Sequence, residues 1–413
     1  MHENALIPNL FRTEYRKIVS VLCSTFGIDH IEIAEDIVSD TFLTATEYWS
    51  ISGIPENPTA WLYTVAKNKS KNYFKRNSLF QQKISTEIKY ASNDREEFEI
   101  DLSQKNIADS QLAMMFTICN PSISKDSQIS LALNLLCGFG TQEIADAFLI
   151  NKEVVYKRLQ RAKEKLKTEG IKIEQPTVSQ INTNLETVLT TLYLLFSEGY
   201  YSTSQNTILR QDFCLEAIRL TTLLIENKMT NTPAANALLS LMYFHSSRFN
   251  ARFNEKGESI LYEEQDDKLW DYDLIEKGIE YLNQSAAGNL LTKFHLEAAI
   301  AFWHTKKQNT DEKWENILQL YNQLLQIEYS PIAALNRTFA FSKVRGKSAA
   351  ISEAAKLNLT ENPFYYSLLG HLYTDIDDVK AIKNYEKALK LSNSSSDSVS
   401  STLKKYIDQL TEK

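Results

Sequence analysis

Two short segments rich in lysine and arginine stand out in a chain whose formal net charge is −7. Residues 67–76 hold five cations and no acid, with amide and aromatic side chains between the charges. Residues 152–167 hold seven cations and two acids. Cations neutralise phosphate, and amides and aromatic rings can contact bases. Both segments therefore predict contacts with nucleic acid.

The second basic segment belongs to a pattern of two helices joined by a turn. Residues 141–148 are typical of a short amphipathic helix, 149–151 of a turn, and 152–167 of a helix without Gly or Pro. This layout is typical of a helix-turn-helix, whose second helix enters the major groove. The side chains predicted to point inward are Val155, Leu159, Ala162 and Leu166. Those predicted to point outward are Tyr156, Lys157, Arg158, Gln160, Arg161 and Lys163.

One basic helix face alone is more often solvated surface than a binding site. Two such faces, each on a recognisable scaffold, favour DNA binding. Residues 34–45, 58–73 and 140–167 resemble, in this order and spacing, the extracytoplasmic-function type of bacterial RNA polymerase sigma factors. The resemblance covers roughly residues 10–170. It implies core RNA polymerase and promoter DNA as partners, with −35 duplex and −10 single strand bound separately.

The resemblance assigns residues to three contacts. Docking on core RNA polymerase is assigned to Asp36, Asp40, Phe42 and Leu43. Capture of the −10 strand is assigned to Asn57, Trp61, Lys67, Asn68, Lys71, Asn72, Tyr73 and Arg76. Recognition of the −35 duplex is assigned to Lys152, Tyr156, Lys157, Arg158, Arg161 and Lys163. A position in the hydrophobic core suits Phe42 and Trp61 equally well.

The second half of the chain resembles the sigma subgroup that carries a long helical extension with tetratricopeptide-like repeats. Stretches 192–200, 210–220, 264–266 and 335–337 carry this resemblance, with the repeat pattern clearest in residues 366–388. Repeat solenoids offer concave surfaces, so a protein partner is expected for the extension. Its polar residues suit either a ligand groove or a buried hydrogen-bond network, and the network is the favoured interpretation: Asp212, Glu216, Arg219, Arg248, Gln265, Asp266, Trp270, Asn336 and Arg337.

Length and composition predict an all-α protein of two or three domains. Only 11 Gly and 8 Pro interrupt 413 residues, and strict alternation of polar and apolar residues is rare. The expected organisation is a first sigma domain at 10–77, a linker at 78–109, a helix-turn-helix domain at 110–168, a helical extension at 180–391 and a mostly polar tail at 392–413.

Several function classes are not indicated by the sequence. The four cysteines and six histidines are scattered without metal-ligand spacing, and no catalytic or phosphate-binding motif occurs. We therefore expect no cofactor, no metal and no enzymatic activity. The first residues lack a leader pattern, and no stretch is apolar enough to span a bilayer. The expected location is a reducing cytoplasm, without membrane contact.

Two alternatives remain open at the level of sequence. The first is an autonomous helix-turn-helix regulator with a helical sensor domain, which would bind duplex DNA without polymerase. The second is a repeat scaffold whose sigma-like part has decayed. The intact basic residues of both segments argue against the second alternative.

Overall fold

The structure of the protein is a computed structural model. It describes residues 6–84, 100–201, 207–252, 254, 260, 262–392 and 398–412, with the backbone alone at 77–84, 207–210 and 398–399. These residues form eighteen α-helices and no strand, which confirms the predicted all-α fold. Contacts divide the chain into two compact units, Met1–Leu224 and Ile225–Lys413.

The first unit begins with three mutually packed helices, α1 (Leu6–Phe26), α2 (Ile31–Ser52) and α3 (Pro58–Ile84). Helix α2 ends at Gly53, whose φ of 80° is a conformation that glycine adopts without steric cost. Helix α3 starts at Pro58, where a missing backbone N–H does no harm. The helices bury apolar stripes that include Ile18, Leu22, Val38, Phe42, Leu62 and Ala66.

Four further helices follow in the same unit: α4 (Gln104–Ile118), α5 (Lys125–Leu131), α6 (Thr141–Phe148) and α7 (Lys152–Thr168). Leu149 ends α6 in the left-handed conformation, with φ 52°. Two residues later, the Asn151 side chain accepts a hydrogen bond from the Glu153 amide (2.8 Å) and caps α7. The two helices and the three-residue turn therefore lie where the sequence predicts them.

The first unit also contains α8 (Val178–Tyr201) and nearly all of α9 (Thr207–Glu226). Helix α8 packs on α4 and α5 with Val188, Leu192 and Leu195 buried. Inside this contact, the Thr191 hydroxyl donates to the Gln128 side-chain oxygen (3.0 Å). Both side chains are buried, so this hydrogen bond satisfies polar atoms that water cannot reach.

The second unit is a run of helices in which successive helices pack as neighbours. Its helices are α10 (Pro233–Ser246), α11 (Tyr272–Ser285), α12 (Lys293–His304), α13 (Asp311–Ile327), α14 (Pro331–Arg345), α15 (Lys347–Lys356), α16 (Pro363–Tyr373), α17 (Asp378–Leu391) and α18 (Ser398–Thr411). The residues of the predicted repeat lie on α16 and α17, with Tyr385 and Ala388 buried between neighbouring helices.

Two of the predicted connecting segments contain helix. Within 78–109, residues 78–84 continue α3, residues 104–109 begin α4, and 85–99 lie outside the described residues. Within the predicted polar tail, α18 places Leu403 and Leu410 in the core cluster that contains Tyr385. The apolar residues of α18 recur at helical spacing. They, and not the serines before them, determine the structure of this part of the tail.

Helices α16 and α17 approach closely because Gly370 lacks a side chain. A Cβ atom at Gly370 would lie 2.5 Å from the ring of Tyr385, so the Gly370→Ala variant must displace a buried aromatic side chain. We expect it to lower the free energy of unfolding by about 1–3 kcal/mol. Denaturant unfolding of the full chain measures this change. Ser367→Ala in the same helix is the control, and an equal loss in both variants would contradict this account.

Candidate nucleic-acid and polymerase interface

Helix α3 exposes a stripe of cationic and amide side chains. Asn68, Asn72 and Arg76 lie four residues apart on one face, and Lys71 is next to them; all four are exposed. We call these four residues the basic stripe. Lys67 and Tyr73, also predicted to contact DNA, are half-buried at its edge. The stripe can meet a phosphate backbone while its amides reach bases.

Three aromatic side chains meet where α2 leads into α3. Trp61 stacks on Tyr48 with ring centroids 5.8 Å apart, and its ring meets Trp49 edge-on at 5.3 Å. Trp49 is buried, Trp61 is half-buried and Tyr48 is 53% exposed. We call these residues the aromatic trio. Nearby, the Asn57 side-chain oxygen accepts from the Ala60 amide (3.0 Å), so this predicted DNA contact also caps α3.

Helix α2 presents the predicted docking residues on two different sides. Asp36, Asp40 and Leu43 are exposed, and Asp40 forms an ion pair with Lys69 of α3. Phe42 is only 4% exposed, and its ring meets Phe11 edge-on at 5.0 Å. The assignment of Phe42 to the docking surface is therefore corrected. A side chain held in the core by α1 cannot reach a partner while α2 stays folded.

Helix α7 exposes most of the residues assigned to the −35 duplex. Lys152, Tyr156, Lys157 and Arg161 are exposed. Arg158 is half-buried and leans toward α5, with Nη2 3.5 Å from the Asp126 carboxylate and Nη1 3.5 Å from the Ser130 hydroxyl. Among the residues assigned to the −35 duplex, the exposed cations thus lie in the first three turns of the helix.

Lys163 does not point outward, and that prediction is wrong. It is 8% exposed and forms an ion pair with Glu35 of α2. One turn further, Lys167 pairs with Glu32. Burial raises the pKa of Glu35, although the ammonium group of Lys163 opposes the rise. Helical periodicity predicted that Lys163 lies on the polar face of α7. It gave no information on which neighbouring element covers that face.

A second group of charges joins α1, α6 and α9. Arg12 pairs with Asp212 of α9 and, at 3.0 Å, with Glu143 of α6. Arg16 pairs with Glu216 of α9, and both side chains are mostly buried. We call Arg12, Arg16, Glu143, Asp212, Glu216 and Arg219 the arginine junction.

Arg219 extends the junction toward the core of the first unit. Its guanidinium donates to the Leu136 carbonyl (2.7 Å) and the Gln111 side chain (3.3 Å), and its Nε bonds Glu216 (2.8 Å). For Asp212, Glu216 and Arg219 the hydrogen-bond network was therefore the right interpretation. Sequence reasoning missed Arg12 and Arg16. Their four-residue spacing matches that of Asp212 and Glu216, but spacing alone does not pair two helices.

In the second unit, the polar residues that suited either a ligand groove or a hydrogen-bond network also make structural contacts. The ammonium group of Lys307 donates to the carbonyl oxygens of Gln265 (2.6 Å) and Tyr262 (3.2 Å). The Asp266 side chain accepts a hydrogen bond from the Lys268 amide (3.0 Å). Separately, Arg337 donates to Asn322 (2.8 Å) and Glu353 (3.3 Å). These contacts support a structural network at helix crossings.

Comparison with known proteins gives two family matches and a relative. Residues 10–80 match the family described as sigma-70 region 2, and residues 184–286 match a family of unknown function. An uncharacterized protein of Rhizobium meliloti (strain 1021) is 30% identical over 373 residues, which cover 89% of this chain and 88% of that protein. No solved structure matches.

The region 2 match supports a sigma factor of the sigma-70 type. Region 2 spans most of α1, all of α2 and most of α3, so it includes the α2 face predicted to dock on polymerase, the aromatic trio and the basic stripe. Sigma-70 factors act in transcription initiation with core RNA polymerase at promoter DNA. Helices α6 and α7 lie outside both matched stretches. Within the described residues, no helix is long and apolar enough to cross a membrane.

Neighbouring positions in α2 should separate folding from docking in this sigma factor. Phe42→Ala empties a core position and should cost about 3–5 kcal/mol of unfolding free energy. Leu43 is 56% exposed, so Leu43→Ala should change stability by less than about 0.5 kcal/mol and weaken binding to core polymerase. Denaturant unfolding and a binding titration with core polymerase measure the two effects. Equal behaviour of the two variants in both assays would refute the division.

Proposed function

We propose that this sigma factor is of the extracytoplasmic-function type and directs initiation at promoters read by α3 and α7. The region 2 match carries the proposal, because it covers both the docking face and the basic stripe. The resemblance of residues 140–167 to the −35 reader extends it to α7. In this proposal core polymerase supplies all catalysis, and the sigma factor acts in the cytoplasm without a cofactor.

Docking on core polymerase is proposed for the exposed face of α2. Asp36 and Asp40 lie one helical turn apart, and Leu43 continues their line toward the end of the helix. Two carboxylates beside an exposed leucine suit a basic partner surface with an apolar contact at its centre. Complementary charge of this kind steers association and selects the partner.

Capture of the −10 strand is proposed for the basic stripe and the aromatic trio. Single-stranded DNA binds proteins through cations along its backbone and aromatic rings against its bases. Lys71 and Arg76 suit phosphate contacts, whereas Asn68 and Asn72 suit base edges. Trp61 lies at the start of the same helix, and together with Tyr48 near the end of α2 it provides the stacking surface. A helix that carries both kinds of side chain can hold a strand after melting.

Recognition of the −35 duplex is proposed for the pair α6 and α7, as a helix-turn-helix. Recognition helices of this motif contact base edges with residues near their N-terminus. The exposed residues Lys152, Tyr156, Lys157 and Arg161 lie in that part of α7. Arg161 can bind guanine through two hydrogen bonds. Arg158 leans on Asp126, which suits a phosphate contact better than base readout.

For the helices of the second unit we propose a tetratricopeptide-like repeat architecture and a protein partner. The support is the fit of residues 366–388 to the repeat pattern and the packing of α16 against α17 around Gly370 and Tyr385. Stacked helix pairs of this type form concave protein-binding surfaces.

Transcription in vitro tests the proposal directly. The full chain is added to purified core polymerase with genomic fragments, and the 5′ ends of the transcripts are mapped. Specific start sites that share two upstream elements are the expected result. Duplex binding without polymerase, and no transcript with it, would instead identify the autonomous regulator.

Two variants in α7 test the assignment of the −35 contact. Arg161→Ala should lower transcription from a mapped promoter by about 5- to 150-fold, because a bidentate arginine contributes about 1–3 kcal/mol of base discrimination. Glu164→Ala, three residues later and also exposed, removes an acid and should cause no loss. Initial transcription rates at limiting sigma factor measure both. A loss of the same size in the two variants would contradict a base contact by Arg161.

A further inference from the structure

Three cations of the second unit surround the ring of Tyr262. The Nζ atoms of Lys313 and Lys307 lie 5.0 Å and 5.6 Å from the ring centroid, and Cζ of Arg248 lies 5.4 Å from it. We call Arg248, Lys307 and Lys313 the cation cluster. Arg248 follows α10, Lys307 follows α12, and Lys313 lies in the first turn of α13. Three separate helices thus bring these charges together.

No member of the cation cluster has a carboxylate partner among the described residues. Lys313 is only 1% exposed, and its ammonium group donates to the Lys306 carbonyl (2.6 Å) and the Tyr262 hydroxyl (2.9 Å). Lys307 donates only to backbone carbonyls. The guanidinium of Arg248 forms no hydrogen bond or ion pair with a described residue. Because charges removed from water are ordinarily paired, the cluster holds positive charge that these residues do not balance.

The two acids that follow Tyr262 in the sequence are engaged with other cations. Glu263 pairs with Lys343 of α14 at 2.7 Å, and Glu264 pairs with Lys405 of α18 at 3.6 Å. Both carboxylates are therefore already used in ion pairs, and neither forms one with the cation cluster.

The unbalanced charge is visible in the titration of two buried bases. Burial, followed by the charges of Lys307 and Arg248, lowers the pKa of Lys313 to about 8, and Glu263 opposes this shift only in part. Burial, followed by the charges of Arg248 and Lys313, lowers the pKa of His304 to about 3. At neutral pH the lysine is therefore mostly charged and the imidazole is neutral. A bound anion would relieve the repulsion that both groups experience.

Two side chains beside the cluster have buried nitrogen atoms without a hydrogen-bond partner among the described residues. Trp270 is 4% exposed, its Nε1 is unpartnered, and its ring centroid lies 6.2 Å from that of Tyr262. Nδ1 of His304 is also unpartnered, and this ring meets Tyr262 edge-on at 5.0 Å. An indole N–H can only donate, and a neutral imidazole can donate through one nitrogen. Both groups suit an acceptor that the chain does not supply.

We propose that the second unit binds a small phosphorylated molecule at the cation cluster, with Trp270 and His304 as neutral hydrogen-bond donors. The guanidinium of Arg248 fits two phosphate oxygens at once. Lys313 has one N–H left after its two hydrogen bonds, whereas Lys307 contributes its charge alone. A phosphate monoester carries about −1.5 to −2 charges at pH 7, so it balances three cations better than a carboxylate does.

The position of the cluster fits a small ligand rather than a protein partner. Lys313, the most buried cation, is beyond the reach of a folded surface, whereas Arg248 and Lys307 are half-buried and border on solvent. The ligand therefore enters on the side of these two residues. All residues of the site belong to the second unit, so the site is independent of the proposed sigma function.

Thermal unfolding of the full chain tests the site with three probes at equal ionic strength: inorganic phosphate, glycerol 3-phosphate and acetate. Both phosphate compounds should raise the unfolding midpoint in a saturable way, because a ligand that binds only the folded state stabilises it, and acetate should raise it less. A larger effect of glycerol 3-phosphate would identify an ester as the ligand, and a larger effect of inorganic phosphate would identify the free anion. Equal midpoints with all three probes would overturn the proposal.

A variant of Arg248 separates binding from folding. Arg248→Gln removes a charge that has no partner in the protein, so the midpoint without phosphate should stay nearly unchanged. The dissociation constant for phosphate should rise about 10- to 100-fold, because hydrogen bonds to a charged group are strong. Lys306→Gln removes an exposed cation next to Lys307 and is the control. Equal phosphate affinities of Arg248→Gln and the wild type would refute the site.

Two further variants locate the bound phosphate. Lys313→Met keeps the length of the side chain without its charge and should abolish the phosphate effect while helical circular dichroism is preserved. If this variant unfolds, the folded Arg248→Gln variant decides. Arg161→Gln, in the basic segment of α7, should keep the full effect. A phosphate effect that Arg161→Gln removes and Arg248→Gln retains would place binding on the first unit and contradict the proposal.

Discussion

The ion pair between Arg16 and Glu216 determines how the first half of the molecule is assembled. Both side chains are mostly buried, and a buried charge without its partner costs about 3–5 kcal/mol. Helix α1 therefore needs α9, although about two hundred residues separate them. Because Arg219 links the same carboxylate to the Leu136 carbonyl, α9 belongs with the sigma part of the chain. A fragment that ended near Gly170 would leave Arg16 unpaired.

Helix α2 has three faces, each in different surroundings. Phe42 and Val38 face α1 and the core, Glu32 and Glu35 face α7, and Asp36, Asp40 and Leu43 face solvent. The three faces adjoin one another, so a change at one reaches the next within a single turn.

The extension combines two kinds of packing. In the first unit α8 and α9 add polar contacts, such as Thr191 with Gln128 and the arginine junction, to the packing of buried apolar residues such as Leu192 and Phe213. In the second unit two helix pairs approach closely where an aromatic ring lies over a glycine, with Phe244 against Gly278 and Tyr385 against Gly370. The stretch 184–286 that matches a family of unknown function starts in α8 and includes Asp212, Glu216 and Arg219. Its first part thus supplies the acids that bind region 2.

The sequence by itself determined the helical class, the bounds of α6 and α7, and the two basic segments, because these depend on local spacing, caps and charge. It also identified the residues of the basic stripe, since unpaired lysines and arginines remain in water. Tertiary structure decided the burial of Phe42, the turn of Lys163 toward Glu35 and the pairing of Arg12 and Arg16 with α9. The physical reason is the same in each case. Periodicity shows which face of a helix is polar, whereas only the packed neighbours decide whether that face meets water, DNA or an opposite charge.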